Sequence, residues 1–146
     1  MTTRSPAQRL YTPEILGLAV ELAGFPLDEG LDLRGEARSQ SCGSTLALGF
    51  ELGPDGLTKR LGLQVTACAI GQASAAIFAR HANGLDAQAI DHSLEDVDAW
   101  LGGGTAPNWP DIEAISNARD YSARHGAILL PWRAAQQALS KAGAER

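Results

Sequence analysis

The chain has 146 residues, 45% of them hydrophobic, with a net charge of −5 and a pI near 5.1. That length supports one domain with its own core and is too short for two. No basic run exceeds Lys59-Arg60, which argues against nucleic acid as a partner, since that binding needs a concentrated basic face. No apolar stretch is long enough to cross a bilayer and no signal-peptide core follows Met1, so a cytoplasmic protein without a membrane partner is expected.

Residues 1–9 read as a flexible tail, and residues 10–146 as a single domain. Thr12-Pro13-Glu14 then opens a helix: Thr12 suits the N-cap, Pro13 the first helical position, and Glu14 the positive end of the helix dipole. Ile15, Leu18, Ala19 and Leu22 share one face, and Gly24-Phe25-Pro26 ends the helix. Residues 28–41 alternate charged and small side chains, which suggests a weak edge strand. Leu46, Leu48, Phe50 and Leu52 follow at a period of two; after Gly53-Pro54-Asp55-Gly56 the alternation resumes through Leu57, Leu61, Leu63 and Val65. Two antiparallel strands joined by a tight turn are predicted.

After Cys68 the period lengthens to that of a helix, with Ile70, Ala73, Ile77 and His81 on one face and Asn83-Gly84 as the stop. Ser93, with Asp96 three positions on, has the spacing of a capping box and predicts a short helix that buries Leu94, Val97, Trp100 and Leu101 before Gly102-Gly103-Gly104. Trp109-Pro110-Asp111 predicts another short helix through Ile112 and Ile115. The last helix is expected over residues 127–141, with Pro131 tolerable only in its first turn. A sheet early in the chain and helices later make the class α+β. Trp100, Trp109 and Trp132 read as core, and His81 and His92 as surface residues without chemistry.

The two cysteines, Cys42 and Cys68, flank the predicted hairpin, so its antiparallel pairing brings their positions to the same end of the sheet. In a reducing compartment a structural disulfide is disfavoured, which leaves metal binding, thiol chemistry or simple packing of a small residue. Cys68 sits where a strand hands over to a helix N-terminus, whose backbone N–H groups favour an anionic sulfur. It is therefore the expected nucleophile of the two. No catalytic triad, phosphate-binding loop or dinucleotide fingerprint is present.

Several stretches together resemble the IscU/SufU/NifU-type iron–sulfur cluster assembly scaffolds. Leu10-Tyr11 with Ile15-Leu16 is similar to the family's opening helix, and Cys42-Gly43-Ser44 to its C-G-D motif. Cys68-Ala69-Ile70-Gly71-Gln72-Ala73-Ser74-Ala75 is similar to C-x-I-S-x-A-S-A, and Leu130-Pro131-Trp132-Arg133-Ala134 to L-P-W-x-A. The resemblance spans residues 10–139 and implies a SufE/IscU-like scaffold fold, a three-stranded antiparallel sheet with helices packed against it. It implies a carrier, not an enzyme, that takes sulfur from a cysteine desulfurase, holds a transient iron–sulfur cluster or zinc, and serves downstream cluster acceptors.

Carried over by position, the family's ligands fall on Cys42, Ser44, Cys68 and Ala127, so two of the four expected donors are replaced. His125, two residues before Ala127, is a candidate to complete a zinc site with Cys42 and Cys68, with water or Ser44 nearby; as a lone histidine it reads more readily as a helix-start surface residue. Ser44 reads also as a turn residue acting through its hydroxyl. Three readings follow: a scaffold accepting sulfur or iron at Cys42 and Cys68; a cluster-free interaction or regulatory module that docks on the desulfurase machinery; and a zinc-binding protein. The oligomeric state is left open.

Overall fold

The structure, a computed structural model, describes residues 10–40 and 43–144; the expected tail 1–9 and Cys42 lie outside the described residues. The order is α1 (Pro13–Glu21), β1 (Leu33–Arg38), β2 (Thr45–Leu52), β3 (Thr58–Thr66), α2 (Ala69–His81), α3 (Ala87–Leu101), a 3-10 stretch (Ile112–Asp120) and α4 (His125–Ala144). The three strands form one antiparallel sheet in the order β1-β2-β3. The α+β class, the hairpin and the edge position of β1 are as the patterning predicts.

Local chemistry accounts for most element ends. The Thr12 hydroxyl accepts the Ile15 N–H at 3.2 Å, and Pro13 occupies the first turn of α1. In the hairpin the Gly53 N–H donates to the Leu57 carbonyl at 2.9 Å. The register shifts between Glu51 and Leu52, so Leu52 faces Thr58 and Leu57 falls in the turn, not in β3. Thr58 is buried, and its hydroxyl donates to the Ala82 carbonyl at 2.6 Å, joining the end of α2 to the start of β3.

One sheet face carries Leu46, Leu48, Phe50, Leu61 and Leu63, all buried. The helices cover this face. α4 lies against β1 so closely that a Cβ on Gly35 would fall on the Ala134 carbonyl oxygen and 2.7 Å from the Ala138 nitrogen. Side chains of α4 also protect the edge of the sheet: Gln137 Oε1 accepts the Glu36 N–H at 2.6 Å, and Lys141 Nζ donates to the Arg34 carbonyl at 2.8 Å. Backbone groups that could otherwise template pairing with another chain are thereby occupied.

Four expectations are extended or corrected. The burial of α2 goes beyond the one face read from its period: Ile70, Gly71 and Ala73 through Ala79 are all buried, and the helix runs through the middle of the domain. Small residues on its remaining faces are what let α1, α4 and the sheet close around it. The helix expected to open at Ser93 begins at Ala87, with the Asp86 carboxylate accepting the Ala89 N–H at 2.8 Å. Ser93 lies mid-helix and its hydroxyl donates back to the Ala89 carbonyl at 2.8 Å, a competing local bond that mimics a cap in sequence.

The segment after Trp109 is a 3-10 stretch, not an α-helix, entered through Asp111 at φ 71° and kinked at Ile115. An ion pair from Arg80 at 3.1 Å and a hydrogen bond with His81 Nε2 at 2.8 Å hold the Asp111 carboxylate there. Last, Pro131 lies beyond the first turn, because α4 begins at His125. Its ring cannot donate to the Ala127 carbonyl, and tertiary packing carries the helix through: Leu130, Trp132, Ala134 and Ala135 are all buried. Trp132 meets Phe78 and Trp109 at centroid separations of 5.3 and 5.2 Å, so the three rings knit together α2, α4 and the segment that leads into the 3-10 stretch.

Candidate functional site

The pairing of β2 with β3 fixes where the cysteine-bearing segments leave the sheet. Thr45, three residues after Cys42, is the register partner of Thr66, two residues before Cys68. The β1–β2 turn is closed by two bonds: the Ser39 N–H donates to the Ser44 carbonyl at 2.8 Å, and the Gly43 N–H to the Ser39 carbonyl at 3.0 Å. Ser44 is buried at 6% exposure, and its backbone carbonyl takes part in the turn.

Cys68 is the N-cap of α2, with φ −65° and ψ 170°, and its side chain makes no capping hydrogen bond. The thiol is part-exposed and rests against the core. The residues around it are firmly held. The Gln72 N–H bonds the Cys68 carbonyl at 3.0 Å while Gln72 Nε2 donates to the Ala67 carbonyl at 2.8 Å, so one residue fixes both sides of the strand-to-helix junction. One turn in, the buried Ser74 hydroxyl donates to the Ile128 carbonyl at 2.7 Å and ties α2 to the first turn of α4.

That tie brings position 127 to the thiol's helix. A Cβ on Gly71 would sit 2.8 Å from the Ala67 Cβ and 3.3 Å from the Ala127 Cβ, closer than packed carbons tolerate. Gly71 is three residues after Cys68, on the same face of the first turn of α2. Ala127 is fully buried. The structure thus sets Ala127 beside the turn that carries Cys68, and the side chain offered there is a methyl group.

His125 starts α4, and its Nε2 lies 2.8 Å from the Arg119 carbonyl. A carbonyl can only accept, so Nε2 is the donor in this bond. Arg119 is the residue here that sequence reasoning missed. Its guanidinium lies 5.1 Å from the centre of the Trp100 ring and donates to the carbonyls of Trp100 at 2.9 Å and Gly104 at 3.1 Å. It satisfies the C-terminal end of α3 while its own carbonyl orients His125. No local pattern in the sequence signals a contact between residues 19 positions apart. Among the described residues no three His, Cys, Asp or Glu side chains come together as a metal-holding group. His81 Nε2 lies 2.8 Å from the Asp111 carboxylate.

No protein-family model matches the chain, and no curated protein matches its sequence. Solved structures do match. The chain is similar to the N-terminal part of a nitrogen-fixing NifU-like protein from Brucella abortus, with 27% identity and a TM-score of 0.86 over 97% of this chain and 100% of that one. It is also similar to a protein assigned as an iron–sulfur cluster assembly scaffold for the SUF system of thermophilic Fervidobacterium islandicum AW-1, with 19% identity, a TM-score of 0.78, and coverage of 89% and 96%. A hypothetical protein aligns at 14% identity with a TM-score of 0.72, covering 86% of this chain and 96% of that one. The fold is that of the IscU/NifU/SufU-type scaffolds, as the motifs predict. Within that class the NifU-like N-terminal structure aligns over the fuller extent of the chain, helices and sheet included. Among the described residues no helix is long and apolar enough to cross a membrane.

Proposed function

We propose that this protein is a scaffold-type carrier of iron–sulfur cluster assembly, which accepts sulfur or iron at Cys42 and Cys68, takes its sulfur from a cysteine desulfurase and passes the product to downstream acceptors. The observation that carries this reading is the placement of Cys68: a part-exposed thiol at the N-cap of the central helix, in a fold matched over 97% of the chain by a NifU-like domain. Sulfur acceptance needs one accessible thiolate. Its sulfur attacks the terminal sulfur of the desulfurase persulfide, a new S–S bond forms on Cys68, the old S–S bond breaks, and the desulfurase cysteine leaves as thiolate. The step is redox-neutral and asks for no fourth group at the site. Carriage of this kind is not turnover catalysis, and the protein is read as a non-enzyme.

The test is sulfur transfer from radiolabelled cysteine by a cysteine desulfurase. Reductant-releasable label is expected on the wild type and absent from the Cys42→Ala, Cys68→Ala double variant. Each single variant reports the share of its own thiol, with Cys68→Ala showing the larger loss. An unlabelled wild type would end the sulfur-carrier reading.

A second reading, a cluster-free module docked on the desulfurase machinery, is favoured by the buried methyl of Ala127 at a position where the resemblance expects a donor. Desulfurase capture that survives loss of both cysteines, with no label on the wild type, would select it.

A further inference from the structure

Two helices of the fold are capped by their own N-cap side chains: the Thr12 hydroxyl accepts the Ile15 N–H at 3.2 Å, and the Asp86 carboxylate accepts the Ala89 N–H at 2.8 Å. α2 is held differently. Its N-cap is Cys68, whose side chain has no oxygen and makes no capping bond. The holding group comes from the next turn. β3 ends at Thr66, so the Ala67 carbonyl has left the ladder, and it accepts Gln72 Nε2 at 2.8 Å. The backbone N–H of the same Gln72 donates to the Cys68 carbonyl at 3.0 Å.

A residue has two soft backbone dihedrals, and those of Cys68 are set by the peptide planes on either side of it. The Ala67 carbonyl lies in one plane and the Cys68 carbonyl in the other, and Gln72 binds both. Cys68 is thereby fixed at φ −65° and ψ 170°, and with these angles the direction in which its Cα–Cβ bond leaves the helix end. The sulfur takes part in neither bond and stays part-exposed.

We infer that Gln72 is a positioning residue for sulfur acceptance at Cys68, an inference that rests on the sulfur-carrier reading above. In that step the Cys68 thiolate attacks the terminal sulfur of the desulfurase persulfide. The new S–S bond forms as the old one breaks, and the desulfurase cysteine departs as thiolate. Attacking, transferred and leaving sulfurs have to come into line between two large molecules, so the direction of the Cys68 Cα–Cβ bond enters the rate. A small alkylating reagent approaches the same sulfur from any open side and is indifferent to that direction.

The experiment compares the full chain with Gln72→Met, which keeps length and helix propensity but has no donor, and with Gln72→Lys, which returns a donor of sufficient reach. Gln72 is part-buried and makes a single side-chain bond, so both variants are expected to fold. Persulfide formation by a cysteine desulfurase and alkylation by iodoacetamide are each timed at the Cys68 peptide by mass spectrometry. The Cys68 Cα and Cβ chemical shifts report its backbone geometry. Gln72→Met is expected to accept sulfur roughly tenfold more slowly, with alkylation within about twofold of wild type and the shifts displaced. Gln72→Lys is expected to recover most of the transfer rate. Transfer and alkylation falling in the same proportion would make Gln72 merely structural and overturn the inference. Transfer by Gln72→Met at the wild-type rate, or Cys68 shifts that do not move, would also overturn it and leave the sulfur-carrier reading intact. Absence of persulfide on the wild type removes that reading and, with it, the role assigned to Gln72.

Discussion

Replacing Gly35 with alanine tests how the sheet is closed. Gly35 is in the middle of β1, and the new methyl would land on the Ala134 carbonyl oxygen, 2.7 Å from the Ala138 nitrogen and 3.1 Å from the Ala134 carbonyl carbon. These are backbone atoms of α4 and cannot rotate aside, so the helix must retreat by about an ångström to restore van der Waals distances. Retreat strains the two bonds by which α4 protects the β1 edge, Glu36 N–H to Gln137 and Lys141 to the Arg34 carbonyl. It also loosens the buried contacts of Ala134, Ala138 and Leu139. Overpacking costs about 1–3 kcal/mol and the loss of two modest hydrogen bonds about 1 kcal/mol more, giving about 3 kcal/mol in all. For a chain of this size that corresponds to a fall in melting temperature of roughly 10 °C. Far-UV circular dichroism melts and urea titrations measure it, with an unchanged m-value showing that the folded state stays compact. Gly17→Ala is the control: it adds a methyl to a helix position with nothing within 4 Å and should stabilise by about 0.5–1 kcal/mol. A Gly35→Ala protein melting within about 2 °C of wild type would refute the close approach of α4 to the sheet.

Two further outcomes follow from individual contacts. The Asp111 carboxyl is held below the usual carboxylate range, first by its hydrogen bond with His81 and then by the one from Arg80, against a partial opposing effect of burial. Its contribution is therefore complete above the unfolded value near 4 and is lost as pH falls through the lower folded value. Asp111→Asn keeps a residue that tolerates the left-handed backbone, so its deficit against wild type should be below about 1 kcal/mol at pH 7, the carboxylate being 42% exposed, and should vanish near pH 2. An equal deficit at both pH values would show that the effect is not the charge. Ser74→Ala removes the buried hydroxyl bond to the Ile128 carbonyl, which should cost about 1 kcal/mol in urea denaturation; no change would mean that α2 and α4 are held by packing alone.

The resemblance rests on short motifs, and the structure gives each of those motifs a mechanical role. The C-A-I-G-Q-A-S stretch supplies the N-cap at Cys68, the narrow contact at Gly71, the junction clamp at Gln72 and the interhelix bond at Ser74. Leu130-Pro131-Trp132 supplies core and an aromatic corner. Motifs of this kind act as architecture whatever the chemistry of the donors, and the fold matches closely at 27% identity with a serine at position 44 and an alanine at position 127. Sulfur acceptance and cluster retention consequently separate: one needs a reachable thiol, the other a full donor set.

By itself, the sequence determined the parts governed by local rules. The period of two over Leu46–Leu52, the turn at Gly53–Gly56, the Thr12-Pro13 helix start and the switch of period after Cys68 each depend on neighbours within a few residues, and each is found, with Leu57 added to the turn. The same logic misplaced the start of α3, because a Ser93 back-bonding within a helix and a Ser93 capping one have the same spacing. It also limited Pro131 to a first turn, because the burial that sustains α4 past a proline comes from Phe78 of α2 and from Trp109, far away in the chain. Only the tertiary structure decided that α2 is buried on nearly all sides, that Arg119 orients His125, and that Ala127 closes the space beside the Cys68 turn. Those facts join residues far apart in the chain, and no local propensity encodes a contact whose partner arrives only when the helices pack.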